Sequence, residues 1–199
     1  MGPWDIVFLV IILFTLVCLS YFYYERKTGV PTFPTMPAMR NKVIEVLRKE
    51  MAARPGQPFT VIDLGSGSGQ ATWHIAKALP EAQIIGIELS FVPWLRSVIR
   101  QKLFGPANLE YKRVDFLTYD ISQVDAVFMY LVGKIMERVS AKLRAELKPG
   151  ALAISNKFPL PGWEPYDTAV PQTLYKTVML LYRQGGQTRQ EPERTLQAG

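Results

Sequence analysis

The stretch VIDLGSGSG, Val61 to Gly69, changes character at its midpoint. Phe59–Leu64 (FTVIDL) is a short apolar, β-rich run; Gly65, Gly67 and Gly69 follow it; Gln70–Leu79 then spaces its apolar residues as a helix does. A strand that turns through glycines into a helix lets the backbone come close to a ligand, because glycine tolerates positive φ and carries no side chain. The start of the helix adds free N–H donors. The glycine spacing is G-x-G-x-G, with Asp63 two residues ahead of it. A dinucleotide fingerprint is G-x-G-x-x-G, so this spacing disfavours a dehydrogenase.

Outward from that turn the pattern alternates. Gln83–Glu88 (QIIGIE) reads as a second strand, Phe91–Leu103 as a helix with Pro93 in its first turn, and Leu109–Arg113 as a weaker strand. Ala126–Leu131 (AVFMYL) is a fully apolar strand. Lys134–Leu147 is an amphipathic helix ended by Lys148-Pro149-Gly150, and Ala151–Asn156 (ALAISN) is a strand. Phe158 to Pro171 reads as Pro-rich loop, and Thr173–Arg183 as the last strand. Near-continuous apolar strands separated by helices predict an α/β fold, a Rossmann-like, doubly wound, mostly parallel sheet covered on both faces. In such sheets ligands bind at the carboxyl ends of the strands.

Acids stand at those ends. Glu88 closes the second strand, where a carboxylate can accept both hydroxyls of a ribose. Hydrogen bonds to a charged group contribute about 1.5–3 kcal/mol each. Asp115, just after the third strand, is in range of an adenine amino group, with Phe116 beside it for stacking. Each acid alone reads as a cap or a surface charge. Asp63, Glu88 and Asp115 in chain order, together with the glycine loop, read as a site.

The first thirty residues follow a different rule. Ile6 to Tyr24, IVFLVIILFTLVCLSYFYY, is apolar except for Thr15 and Ser20. A helix needs about 20 such residues to cross a bilayer core of roughly 30 Å. Trp4 at one end and Tyr21, Tyr23 and Tyr24 at the other suit the interfaces. Glu25-Arg26-Lys27 follows, while residues 1–5 hold no Lys or Arg, so the positive-inside rule predicts a single-pass anchor with the body on the cytoplasmic side. A cleaved signal peptide would want a basic start, a shorter apolar core and a small-x-small site. The expected organisation is an anchor over 1–27, a Pro-rich linker over 28–38 that includes VPTFPTMP, a globular domain over 39–183 and a disordered tail over 184–199. The helix expected over Ala38–Ala53 carries Arg40, Lys42, Arg48 and Lys49, a basic face that suits solvent or anionic headgroups.

Composition narrows the chemistry. With 199 residues, one compact domain and an attached segment fit, and 48% hydrophobic with 20% charged residues excludes general disorder. One Cys (Cys18) and one His (His74) exclude a disulfide framework and most metal cages, so no metal is expected. His74 lies a turn into the first helix of the domain and reads as a packing or capping residue. The net charge of +6 suits an acidic surface, nucleic acid or anionic lipid without choosing among them.

The segments VIDLGSGSG (61–69), IIGIELS (84–90), RVDF (113–116), VDAVFMYL (124–131) and LKPGALAIS (147–155) together resemble class I S-adenosylmethionine-dependent methyltransferases. That resemblance implies S-adenosyl-L-methionine as cofactor, with Asp63, Gly65, Ser66, Gly67, Gly69, Glu88, Leu89, Asp115 and Phe116 as its binding residues. More narrowly, VPTFPTMP, ELSFVPWLRSVIR, YLVGKIMERVSAKLRAELKPG and NKFPLPGW look like a group of membrane-anchored protein-lysine methyltransferases acting on the adenine nucleotide translocase or the ATP synthase c subunit. Ser68 departs from that group, which often has Asp there. The narrower resemblance implies a membrane-protein lysine as acceptor and a bilayer partner through residues 6–24. Without an Arg- and Ser-rich transit peptide, a bacterial inner membrane is expected, or a mitochondrial inner membrane in a eukaryote. The short carboxyl-terminal part leaves no room for a substrate-binding cap, which suits a macromolecular acceptor. Nucleic acid is not expected as a partner, since no N-P-P-Y-type motif follows the fourth strand.

Lysine methylation needs a neutral amine. Deprotonation at pH 7 costs about 4.6 kcal/mol from a reference pKa of about 10.4. A desolvated aromatic pocket lowers that cost, whereas a carboxylate would raise it. Tyr130, Asn156 and Phe158 at the fourth and fifth strand ends are therefore the expected catalytic residues, with Trp163 behind them. Two other readings fit the same residues. One is a lipid or quinone methyltransferase; the other is a tethered binding module that catalyses nothing.

Overall fold

A computed structural model describes residues 2–28, 35–170 and 177–185. Seven strands form one sheet: β1 (Thr60–Leu64), β2 (Gln83–Ile87), β3 (Leu109–Lys112), β4 (Ala126–Met129), β5 (Leu152–Asn156), β6 (Asp167–Ala169) and β7 (Met179–Arg183). Their order is β3-β2-β1-β4-β5-β7-β6. The first five are parallel, and β7 runs antiparallel between β5 and β6. The helices are α1 (Pro3–Thr28), α2 (Pro37–Ala52), α3 (Gln70–Ala78), α4 (Phe91–Phe104) and α5 (Ile135–Glu146). This is the doubly wound α/β sheet expected from the alternation, and its order reverses between β1 and β4.

One strand is not legible in the sequence. β6 lies inside the stretch expected to be Pro-rich loop, and it is three residues long with Asp167 and Thr168 exposed. An edge strand with a single buried residue leaves no period-two signal. The expected last strand is found as Met179–Arg183. Its proposed start at 173–176, the linker at 29–34 and the tail from 186 onward lie outside the described residues.

Period-two alternation divides the core between the two faces of the sheet. Val61 faces one side, where α2 (Met39, Val43, Leu47) and α3 (Ala71, Ile75) pack. Ile62 faces the other, where α5 contributes Met136, Val139 and Leu143. α1 stands apart from both clusters. Pro3–Tyr24 is a 22-residue segment of mean hydropathy 2.7, none of it buried in protein, and is long and apolar enough to cross a membrane.

Polar contacts fasten α2 to the amino-terminal edge of the sheet. The Glu50 carboxylate accepts hydrogen bonds from Arg183 Nη1 and Nη2 at 2.9 and 2.8 Å and from Arg54 Nη2 at 2.9 Å. Arg54 also pairs with Asp125 at 3.3 Å, and Asp125 accepts the Thr60 N–H at 2.9 Å. The Arg183 guanidinium, through its hydrogen bonds, holds the Glu50 carboxyl below its ordinary value of 4.5, against the opposing effect of burial. A depressed carboxyl pKa stabilises the fold above the unfolded value, and that stability is lost as pH falls through the folded one. Glu50→Gln should therefore lower stability by roughly 1–2 kcal/mol at neutral pH, the low side for charged hydrogen bonds because water reaches the pair. In thermal melts of the full chain in mild detergent, the difference from wild type should shrink below about pH 4.

Candidate active site

Strand register builds the site. Lys112, Ile87, Leu64, Met129 and Ser155 lie in one row across β3, β2, β1, β4 and β5. The next residue on each strand is Arg113, Glu88, Gly65, Tyr130 and Asn156. Four of the expected site residues thus stand side by side on the carboxyl rim, across the β1–β4 switch point where such sheets open a crevice.

The glycine loop is shaped for close approach. Gly65, Gly67 and Gly69 all have positive φ, at 75°, 56° and 70°. The Gly65 and Ser66 N–H groups both donate to the Ile87 carbonyl at 2.9 Å, which stitches the loop to the end of β2. Glu88 completes the stitch. Its Oε2 accepts the Gly67 N–H at 2.9 Å and its Oε1 accepts the Ser90 N–H at 2.7 Å. A carboxylate offers about four lone pairs, so capacity remains on both oxygens for two more donors. Ser66 Oγ is buried and has no hydrogen-bond partner among the described residues.

Asp63 lies beneath the loop, 3% exposed. Its Oδ2 accepts a hydrogen bond from the Thr72 hydroxyl at 2.6 Å. Burial pushes its pKa from 3.8 up to about 7; the Thr72 bond opposes the rise and the negative charge of Glu88 adds to it. Tyr111 is the residue that sequence reasoning missed. Its hydroxyl donates to the Gly69 carbonyl at 2.8 Å. Burial, followed by the charge of Asp63, raises its pKa. Its ring fills the space over Gly86, where an added Cβ would lie 2.5 Å from Tyr111 Cδ1. A glycine inside the apolar strand QIIGIE is the available signal for such an approach.

The β4–β5 side of the rim is aromatic. The rings of Tyr130 and Phe158 stack at 6.3 Å between centroids with 23° between their planes. Asn156 is 1% exposed, and its Oδ1 has no hydrogen-bond partner among the described residues. The chain turns sharply there, since Lys157 adopts a φ of 73° and the Phe158 N–H returns to the Asn156 carbonyl at 2.9 Å.

The remaining expected residues are more ordinary. Asp115 Oδ1 accepts the Leu117 N–H at 2.9 Å within a turn. Phe116 packs partly into the α5-side core, and Leu89 is half-buried. Trp163 meets Tyr182 edge to face at 6.1 Å and donates its Nε1–H to the Ser140 carbonyl at 3.4 Å. His74 packs edge to face on Trp73 at 5.1 Å. Burial and the charges of Arg40, Arg100 and Lys77 lower its pKa, so it is neutral near pH 7. No group of three or more His, Cys, Asp or Glu that could hold a metal occurs among the described residues.

Comparison with known proteins places this geometry. The model of the ANTKMT methyltransferase domain matches residues 63–167. A protein-lysine N-methyltransferase of Saccharolobus islandicus (strain REY15A) is 29% identical over 141 residues, which is 69% of this chain and 83% of the relative. The adenine nucleotide translocase lysine N-methyltransferase of Mus musculus is 32% identical over 115 residues, 55% of this chain but only 48% of the mouse protein. An RNA methyltransferase from Salinibacter ruber in complex with S-adenosyl-L-homocysteine superposes with a TM-score of 0.65 at 23% identity, covering 81% of this chain and 97% of that one. That structural likeness speaks for the fold.

Two tests follow from the loop. Asp63 binds a proton in the folded chain that the unfolded chain gives up between about 3.8 and 7. Its ionisation therefore erodes stability as pH rises through that window. The melting temperature of Asp63→Asn relative to wild type should climb as pH goes from about 5 to about 8; a flat difference would reject the protonated buried acid. In Gly69→Ala the new Cβ would lie 2.3 Å from Tyr111 Oη and 2.7 Å from Ser97 Cβ at a φ of 70°. The left-handed backbone alone costs about 1–2 kcal/mol for a residue other than glycine. Calorimetry should show S-adenosyl-L-homocysteine affinity reduced by at least about tenfold.

Proposed function

The chain belongs to the ANTKMT methyltransferase domain family, and from that premise we propose that it is a membrane-anchored protein-lysine N-methyltransferase using S-adenosyl-L-methionine. The observation that carries the reading is the meeting of two half-sites on one strand rim. One is a positive-φ glycine cradle joined to Glu88; the other is a stacked aromatic pair beside a buried amide oxygen without a partner among the described residues.

The cradle fits that donor. Gly65, Gly67 and Gly69 hold positive φ, with Leu131 and Tyr111 packed where a Cβ on Gly65 or Gly69 would lie, Ser66 Oγ is buried without a partner among the described residues, and Glu88 keeps lone pairs for ribose hydroxyls. Asp115 and Phe116 take the adenine, and Leu89 lies against it. Asp63 supports the loop from below and answers a nearby positive charge by releasing its proton. The bound donor supplies an electrophilic methyl group on a sulfonium, so the chain's task is to place and prepare the acceptor.

Tyr130 and Phe158 do the preparing. Their rings remove water from an entering lysine and disfavour its ammonium form, against a deprotonation cost of about 4.6 kcal/mol at pH 7. Asn156 Oδ1 accepts a hydrogen bond from the neutral amine and turns its lone pair toward the methyl group. The side chain is an amide and not a carboxylate, so it orients the amine without stabilising its charged form. The acceptor class is supported by the archaeal and mouse relatives, whose names specify lysine. The chain spans about half the length of the mouse protein, so the translocase itself is not carried over. α1 supports an anchor over residues 6–24, with the body on the cytoplasmic side by the positive-inside rule, and hence an acceptor in the same membrane.

The test is methyl transfer from labelled donor to membranes that lack this protein. Label should appear as methyl-lysine in the protein fraction. Glu88→Ala should cut labelling by at least about tenfold through donor affinity, since each charged hydrogen bond is worth about 1.5–3 kcal/mol. Tyr130→Ala should slow transfer while donor affinity holds. Label confined to the organic extract would overturn the lysine reading in favour of a lipid or quinone acceptor.

A further inference from the structure

α4 is built inside out. Its buried residues are Pro93 and Ser97. Five of its large apolar side chains face outward: Phe91 is 42% exposed, Leu95 36%, Ile99 50%, Leu103 65% and Phe104 74%, while Trp94 is half-buried. Leu95, Ile99 and Leu103 recur every fourth residue, so they form one continuous stripe along the helix. A soluble surface helix turns such a stripe toward the core and its polar residues toward water. Single exposed apolar residues need no explanation, but a contiguous stripe bounded by charge does.

Several features specify what covers the stripe. The first is charge. Arg96 and Lys102 are exposed on α4, and Arg100 beside them lies 4.4 Å over the Trp73 ring. Arg113 sits 5.1 Å over the Phe91 ring, at the head of the same helix. The chain has no Asp or Glu between Glu88 and Glu110. An apolar face flanked only by cations matches an anionic lipid surface. The second is position. α1, the candidate span, packs against α4 and against no other helix as closely among the described residues. The half-covered residues of α1 are Val17, Ser20, Tyr21 and Tyr24, three and four apart on one face. From Val17 to Tyr24 the helix rises about 10 Å. Interfacial helices bury their apolar face by about 5–10 Å, so the depths agree.

We propose that α4 is a second membrane-contacting element, lying in the plane of the bilayer with Leu95, Ile99 and Leu103 among the acyl chains and Arg96 and Lys102 at the headgroups of anionic lipid. The inference rests on α1 being in the bilayer but not on the nature of the acceptor. α4 begins three residues after Glu88, so docking it holds the donor cradle at the membrane surface. The occupant is lipid: a partner protein would not call for exposed Arg96 and Lys102 beside the stripe in a stretch without Asp or Glu.

Depth measurement decides the matter in the full chain, reconstituted into phosphatidylcholine vesicles with and without phosphatidylglycerol. A fluorophore on the native Cys18 reports α1. The same fluorophore on Leu103→Cys in a Cys18→Ala background reports α4, and on Arg138→Cys in that background it reports exposed surface on α5. Retained binding of S-adenosyl-L-homocysteine certifies each folded variant. Brominated lipid should quench the Cys18 and Leu103→Cys probes several-fold more than the Arg138→Cys probe, and phosphatidylglycerol should deepen the quenching at Leu103→Cys. Quenching at Cys18 with none at Leu103→Cys would overturn the docking of α4 and leave the anchor intact. Quenching at neither would overturn both. A Leu103→Cys probe shielded from aqueous quencher yet untouched by brominated lipid would mean a protein covers the stripe, a second copy or a partner, and would also overturn the proposal.

Discussion

Glu88 holds two backbone N–H groups that belong to different parts of the chain. One is Gly67, in the loop after β1; the other is Ser90, at the head of α4. Neither the loop nor the helix start has another side chain in this role, since neither α3 nor α4 has a side-chain cap among its hydrogen bonds. The carboxylate therefore sets how far the glycine loop stands from the start of α4. An acid suits this position because the anion accepts from two backbone donors and still has lone pairs left on both oxygens.

Much of this arrangement is legible in the amino-acid order itself, and the reasons are physical. A parallel sheet buried on both faces shows as apolar runs, so VIDL, QIIGI and AVFM are readable as strands. The glycine triplet is readable because L-residues avoid the conformation that all three adopt. Glu88, Tyr130 and Asn156 are readable as strand-end residues, and register then puts them on one rim. What stays hidden depends on contacts distant in sequence. Tyr111 looks like part of a weak strand, and nothing local says that its hydroxyl reaches Gly69, 42 positions away. The protonation of Asp63 depends on its burial and its distance from Glu88, neither of which a motif encodes. β6 stays hidden because a three-residue edge strand buries only Ala169.

The outward face of α4 follows from the cradle. Tyr111 and α4 both close in on Gly69, whose carbonyl accepts the Tyr111 hydroxyl. The closeness is measurable, since a Cβ on Gly69 would come within 2.7 Å of Ser97 Cβ. A small residue is needed on α4 at that point, and Ser97 supplies it, with Pro93 the other buried residue of the helix. A helix whose inner side is restricted to small residues cannot bury much apolar surface against its own sheet. At about 25 cal/mol per Å² of apolar surface, that forgone burial is a real loss for a 14-residue helix. The large apolar residues on the far side, Leu95, Ile99 and Leu103, then gain only from a second apolar phase. In a water-soluble protein with the same cradle, selection would favour polar residues at those positions, because nothing inside the fold requires them to be apolar. Their presence here, next to a helix long enough to span a bilayer, is what the proposed docking of α4 explains.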